Sequence, residues 1–191
     1  MKSFWVLNNM FEIKICKIQG CLELQPKVFT DNRGKFVKVF HEQTFANLGL
    51  ETNFVEEYYS VSNKNVIRGL HFQLPPMDHV KMVHCVQGEV MDVVVDLRIN
   101  SPTYGQHVTF ELSSTKANSI YIPKGLAHGF CALSENAIMV YKVSTVYSPE
   151  HDAGISWNSV GIEWPTKEAN LSQRDLSFCT LTEFNSPFKY E

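Results

Sequence analysis

The chain reads as an all-β protein, an antiparallel sandwich or barrel. Three observations predict it: β-branched and aromatic residues gather in short runs, turn residues separate the runs, and helical periodicity is weak. In order, the runs are FEIKICKI, KFVKVF, NFVEEYYSVS, NVIRGLHFQ, VKMVHCVQGEVMDVVVDL, HVTFELS, SIYIPKG and AIMVYKVSTVY. Val, Ile, Phe and Tyr are the types that fit a pleated, half-buried surface. Helix is expected only in HEQTFANLGL and in the tail beyond Pro165.

Three runs carry detail. In VIRGLHFQLPP, Arg68 and His71 stand three apart, so in a regular strand they point to opposite faces. Gly69 between them is where a strand can bulge. The plain reading is a strand end with an exposed Arg and a hydrogen-bonded His; the other is a kinked run that turns both into one cavity. In KMVHCVQGEVMDV, a two-residue Gln87-Gly88 turn pairs Cys85 with Val90 and Val83 with Asp92. Lys81, Val83 and Cys85 then share a face with Val90, Asp92 and Val94, and a Lys and an Asp on one apolar face mean an edge salt bridge or a polar cluster in a cavity. In MVYKVSTVY, Tyr141 and Tyr147 have equal parity, for one cavity or for packing alone.

With 191 residues, no repeat and no linker, one domain over 1–191 is expected, its core at about 11–165 and a tail at 166–191. Hydrophobic residues make up 44% and charged residues 19%, an ordinary globular balance. The net charge of −3 gives no general attraction to nucleic acid or an anionic membrane, so an anionic ligand needs a local cationic cluster. Five cysteines without a CxxC pair, and a start without an apolar signal region, point to reduced thiols in a cytoplasmic protein. No run approaches the ~20 apolar residues of a membrane span.

DNRGKF, NVIRGLHFQ, GEVMDVVVDLR, SPTYGQ, YIPKGLAHGF, VYKVSTVYSPEHDAGISWN, GIEWP and LSQRD follow one another in that order. From about Phe11 to Asp175 this set resembles the dTDP-4-dehydrorhamnose 3,5-epimerase family, cupin-type enzymes acting on nucleotide-linked 4-keto sugars. The first ten residues precede the usual family start, which marks Met10 as an alternative initiation site. The resemblance implies a double-stranded β-helix (cupin jelly roll) with a few short helices, in a homodimer that exchanges N-terminal strands. It also implies no metal, no cofactor, and a role in making sugars for a bacterial surface polysaccharide such as capsule or lipopolysaccharide. His71 resembles the catalytic base, Asp175 its carboxylate partner, Lys81 the group that stabilises the enolate oxygen, and Tyr141 the opposing general acid. Asp92, His128 and Tyr147 fall on pocket positions, and Gln73 on a substrate contact. Arg68 and Arg33 resemble diphosphate contacts, Arg33 reaching in from the other subunit.

Those residue types suit the chemistry. A neutral imidazole, with an unperturbed pKa of ~6.5, can take a proton from carbon beside a ketone near neutral pH. A carboxylate behind it fixes the tautomer, an ammonium at the ketone oxygen meets the charge that develops, and a hydroxyl on the other ring face returns a proton. Around this set the chain departs from the family, with Glu56, Tyr58 and Tyr59 where Gln, Asn and His are usual and Lys38 where Glu is usual. A Glu56 carboxylate can accept from guanine N1–H and its amino group, so the expected substrate is a dTDP-4-keto-6-deoxyhexose or a GDP-linked 4-keto hexose or heptose. Epimerisation at C3 alone, or a ketoisomerase, stays within the same reading. Two rivals stand beside it: a metal-dependent cupin using His71, His84 and His128, and a non-catalytic sugar-nucleotide binding protein.

Overall fold

The computed structural model describes residues 5–7 and 10–190, the first three by backbone alone. The chain opens with β1 (Trp5–Leu7), β2 (Phe11–Ile15) and β3 (Leu22–Pro26), then the hairpin β4 (Val28–Asp31) and β5 (Gly34–Val37). The first expected helix is α1 (Glu42–Asn47), capped by the His41 side chain, which accepts from the Thr44 N–H. It buries Phe45, whose ring meets Phe11 and Phe40 edge-on at 5.7 and 4.9 Å.

Next come β6 (Glu56–Ser62), β7 (Ile67–Gln73), β8 (Lys81–Gln87) and β9 (Glu89–Asp96). They are followed by β10 (His107–Ser113), β11 (Ser119–Ile122), β12 (Leu126–Ala132), β13 (Ala137–Val143) and β14 (Asp152–Gly154). The tail holds α2 (Gln173–Leu176) and then packs on the core, with Phe184 and Phe188 against Phe72.

The strands form a seven-stranded sheet, ordered β1-β2-β3-β11-β8-β13-β6, and a five-stranded sheet, ordered β10-β9-β12-β7-β14, with β4–β5 apart as its own hairpin. From β6 to β9 and again from β10 to β14 the chain alternates between the two large sheets, as a double-stranded β-helix winds. Val83, Cys85, Val90, Val94, Phe110, Phe130 and Tyr141 fill the space between them. A second cluster lies under the five-stranded sheet against the tail, and a third joins Met82, Phe11 and Tyr121 to α1.

This winding corrects the expected hairpin. β8 pairs with β11 and β13, and β9 with β10 and β12, so Gln87-Gly88 is a corner between sheets and Val83 is not paired with Asp92. Gly88 sits at φ +78 with a would-be Cβ only 2.2 Å from Ser134 Oγ, so the corner excludes a side chain. The shared face survives, because the interior faces of opposite sheets meet: Val83, Cys85, Val90 and Val94 share one cluster.

The kink at Gly69 is present. β12 pairs His128 with His71 but Phe130 with Arg68, a one-residue slip, and Gly69 adopts φ +141. A Cβ there would lie 2.6 Å from the Gly129 Cα. The slip cancels the odd spacing of Arg68 and His71 and turns both side chains to one side of β7.

Candidate active site

Between the sheets lies a cavity of about 520 Å³, a size that suits a small molecule. The five-stranded sheet contributes Arg68, His71 and His128 to its wall, and the seven-stranded sheet Glu56, Tyr58, Lys81 and Tyr141.

His71 projects from β7 past the kink. Its Nε2 lies 2.9 Å from Asp175 Oδ1, and Asp175 Oδ2 accepts the Gly69 N–H at 3.1 Å. Asp175 arrives through α2: Ser172 caps the helix by accepting the Asp175 N–H at 3.1 Å, which aims the buried carboxylate back at β7. Burial works against the charge, but the bonds from His71 and Gly69 win and hold the carboxyl below its ordinary range. An ionised Asp175 takes the Nε2–H of the ring, which leaves the lone pair on Nδ1.

Tyr141 faces from the opposite sheet. It is almost wholly buried, stacks on Tyr58 and lies 3.1 Å from Ser60 Oγ. Burial pushes its phenol well above the ordinary value, so at neutral pH it holds its proton. Burial likewise pushes Tyr58 up to about 12. Lys81, 7% exposed, begins β8 beside Val143. Burial pulls its pKa down to about 8 against the opposing pull of Asp92 and Asp152, so it remains an ammonium at neutral pH.

His128 neighbours His71 on β12 and gives Nε2 to Asp92 Oδ2 at 2.7 Å. Burial lowers the His128 pKa and raises that of Asp92, whose partners His128 and Lys81 pull the other way. Asp92 is fully buried behind His128, and this corrects its expected place as a pocket contact.

Gln73 lines the cavity with its amide engaged: Nε2 donates to Met77 O at 2.7 Å and Oε1 accepts from the Ser148 N–H at 2.7 Å. Glu56 accepts the Tyr147 N–H at 2.8 Å, and the Tyr147 hydroxyl reaches Asp152 at 3.3 Å. Both tyrosines singled out by parity therefore meet the cavity, Tyr147 from the loop beyond β13. Arg68 bonds Ser62 Oγ at 3.0 Å and Val61 O at 3.2 Å.

Two expected contacts lie elsewhere in this chain. Arg33, at the tip of the β4–β5 hairpin, is paired with Asp31 at 2.5 Å and is 86% exposed. Lys38 is exposed just beyond β5. Neither lines this cavity, and the hairpin that carries Arg33 pairs with neither large sheet. The three histidines of the metal rival do not converge: His84 shares the outward parity of Met82, away from Lys81.

Sequence reasoning missed Arg174, Asp152 and His79. Arg174 lines the cavity, bonds Asp152 Oδ2 at 2.5 Å, lies 3.3 Å from His71 Nε2 and stacks over Phe178. Its place beside Asp175 in SQRD was the available signal. Burial, Lys81 and Lys124 drive His79 down to about 3, so its ring is neutral.

A family model described as dTDP-4-dehydrorhamnose 3,5-epimerase matches residues 15–183. The dTDP-4-dehydrorhamnose 3,5-epimerase of Shigella flexneri is 44% identical over 164 residues, 84% of this chain and 91% of its own length. The structure of dTDP-6-deoxy-D-glucose-3,5-epimerase from Legionella pneumophila, in complex with dTDP-4-keto-L-rhamnose, matches with a TM-score of 0.90 at 35% identity, over 95% of this chain and 99% of that one. A 3'-monoepimerase from Streptomyces bikiniensis, in complex with dTDP-quinovose, matches with a TM-score of 0.83 at 31% identity, over 87% and 86%.

Proposed function

Because the chain belongs to the dTDP-4-dehydrorhamnose 3,5-epimerase family, we propose that it inverts C3 and C5 of a dTDP-4-keto-6-deoxyhexose through an enolate. The observation that carries this reading is the opposition of His71, backed by Asp175, and Tyr141, held protonated, on facing sheets around one cavity. His71 Nδ1 removes the proton beside the ketone, and Asp175 steadies the imidazolium that results. The electron pair moves to the C4 oxygen, where the Lys81 ammonium offsets the new charge. Tyr141 then gives its proton to the opposite face of the same carbon, which inverts it. His71 gives up its proton to solvent and Tyr141 regains one from it, and the reset pair repeats the cycle at the second carbon flanking the ketone.

Arg68 serves the diphosphate, since paired guanidinium forks suit phosphate oxygens. Arg33 serves the diphosphate of a second subunit in a homodimer; its exposure beyond the body of its own subunit supports that role. We place the enzyme in the cytoplasm, supplying a sugar for a surface polysaccharide; no helix among the described residues is long and apolar enough to cross a membrane. The relatives compared are named for dTDP sugars, and Glu56 is tied to the Tyr147 loop, so the GDP-linked alternative draws no support.

The test is incubation with dTDP-4-keto-6-deoxyglucose in D₂O, followed by NMR. Deuterium should enter at C3 and C5. Exchange at C3 alone would make the enzyme a monoepimerase, like the Streptomyces bikiniensis protein, and exchange at neither carbon would overturn the reading.

A further inference from the structure

We propose that Cys16 and Cys21 form an oxidation site, a partly exposed thiol and its buried resolving partner, which closes a reversible disulfide across the end of the β2–β3 hairpin. The register sets up the pair. β2 and β3 match Phe11 with Pro26 through to Ile15 with Leu22, so the next rung places Cys16 opposite Cys21. Facing residues of an antiparallel ladder have Cα atoms about 4.5 or 5.5 Å apart, and disulfides span about 4.4–6.8 Å. The turn beyond is closed by the Cys21 N–H on Ile18 O at 3.1 Å, so the rung is held at the hairpin's end.

Both side chains take the same face. Cys21 is fully buried in the intersheet core, and Cys16 packs against that cluster while keeping partial exposure. The nearness of the two thiols across this rung lowers the Cys16 pKa and, together with burial, raises that of Cys21. That asymmetry assigns the roles, since the thiolate is the nucleophile. The other cysteines lack the arrangement: burial pushes Cys85 and Cys131 up to about 11, and Cys179 is exposed near the chain's end.

The oxidant is a small disulfide of the glutathione class. The Cys16 thiolate attacks one of its sulfurs, forming a mixed disulfide and releasing one thiolate. Cys21 then attacks the Cys16 sulfur, passing its proton to the second departing thiolate. Two electrons and two protons leave the pair, one small disulfide is reduced to two thiols, and excess thiol reverses the sequence. This site is separate from the epimerase chemistry and stands without it.

The full chain, folded, is exposed to oxidised glutathione, quenched in acid, alkylated in denaturant and digested with trypsin. Cleavage after Lys14, Lys17 and Lys27 puts the two cysteines on different peptides. The expected result is a cross-link between those peptides that thiol reductant removes. In Cys21→Ser, Cys16 should stop at the glutathione adduct; in Cys16→Ser, Cys21 should stay fully alkylatable. Unreacted Cys85 and Cys131 report that each variant remained folded during exposure. Absence of the cross-link in the wild-type chain, or equal reactivity of Cys21 in the Cys16→Ser chain, would overturn the proposal.

Discussion

Tyr58 lies flat against Tyr141, with ring centroids 4.7 Å apart and planes 12° from parallel. The stack and the Ser60 hydroxyl fix where the phenol oxygen sits. Tyr141→Phe should cut epimer formation by ~10²–10⁴-fold while solvent exchange of the substrate C–H persists, because the base is untouched. Tyr58→Ala should act in the same direction but more weakly, by up to about tenfold, the worth of an aromatic contact of roughly 0.5–1.5 kcal/mol. NMR in D₂O reads exchange and product together. Full product formation by Tyr141→Phe would move the donor role to Tyr147 or a water.

His71→Ala should abolish exchange at both carbons and leave nucleotide binding largely intact, since the base does not hold the diphosphate. Asp175→Ala should be milder, because it removes the orienting partner and leaves the imidazole in place. Calorimetry with dTDP, run beside the exchange assay, separates binding from chemistry. Two folded variants that are equally inactive would give Asp175 a larger part than orientation.

Lys81 sets activity and stability against each other. Its folded pKa of about 8 lies below the ordinary 10.5, so between those values the unfolded chain holds a proton that the folded one has released. Stability therefore rises with pH across that window, while turnover falls as the ammonium is lost. Lys81→Met should lose most activity and gain about 2–3 kcal/mol at pH 7, read by urea unfolding. A variant no more stable than wild type would mean that Asp92 and Asp152 compensate the buried charge in full.

Gly69→Ala should cost more than about 1 kcal/mol, since alanine resists φ +141 and its Cβ would overlap the Gly129 backbone. The functional loss should exceed that of an equally destabilising change under the tail, such as Phe184→Leu, because the slip in β7 aims both Arg68 and His71. Thermal melts and exchange rates on the two variants make the comparison.

Arg33→Ala subunits mixed with His71→Ala subunits should recover activity. In the mixed dimer one pocket has an intact His71 together with its neighbour's intact Arg33, and the other pocket carries both defects. Tagging one parent confirms subunit exchange. With exchange shown and both parents folded, failure to recover would confine Arg33 to its own subunit or to no site at all.

Strands β2, β5 to β11 and β13 and the regions of both helices could be read from side-chain pattern, because burial on one face writes a period into the sequence. Strands β1, β3, β4, β12 and β14 were not read, and β12, buried along its whole length, carries no such alternation. What pattern could not supply was partner choice. Lys81, Val83 and Cys85 face inward beside Val90 and Val94 whether β8 and β9 pair or cross, so a correct face came from an incorrect hairpin. Local motifs gave His71 and the kink at Gly69, whose need for glycine is a backbone property. Arg174 and Asp152 went unnoticed because their bond joins segments 22 residues apart. The resemblance put Asp92 at the pocket, and neither it nor parity, which names a face without a depth, gave its full burial behind His128.

The crossing from β7 to β8 puts His71 on one sheet and Lys81 on the other, where β13 brings Tyr141 alongside β8. Packed sheets stand about 10 Å apart, a distance set by the side chains that fill the gap. A pyranose ring held between them shows one surface to the imidazole and the other to the phenol, so handedness of the product is written into interlayer spacing. Trimming a filler far from the sugar, such as Leu112→Ala, should let the layers close and detune delivery of the second proton more than removal of the first. The ratio of deuterium washed in to epimer formed would then work as a molecular calliper on that gap.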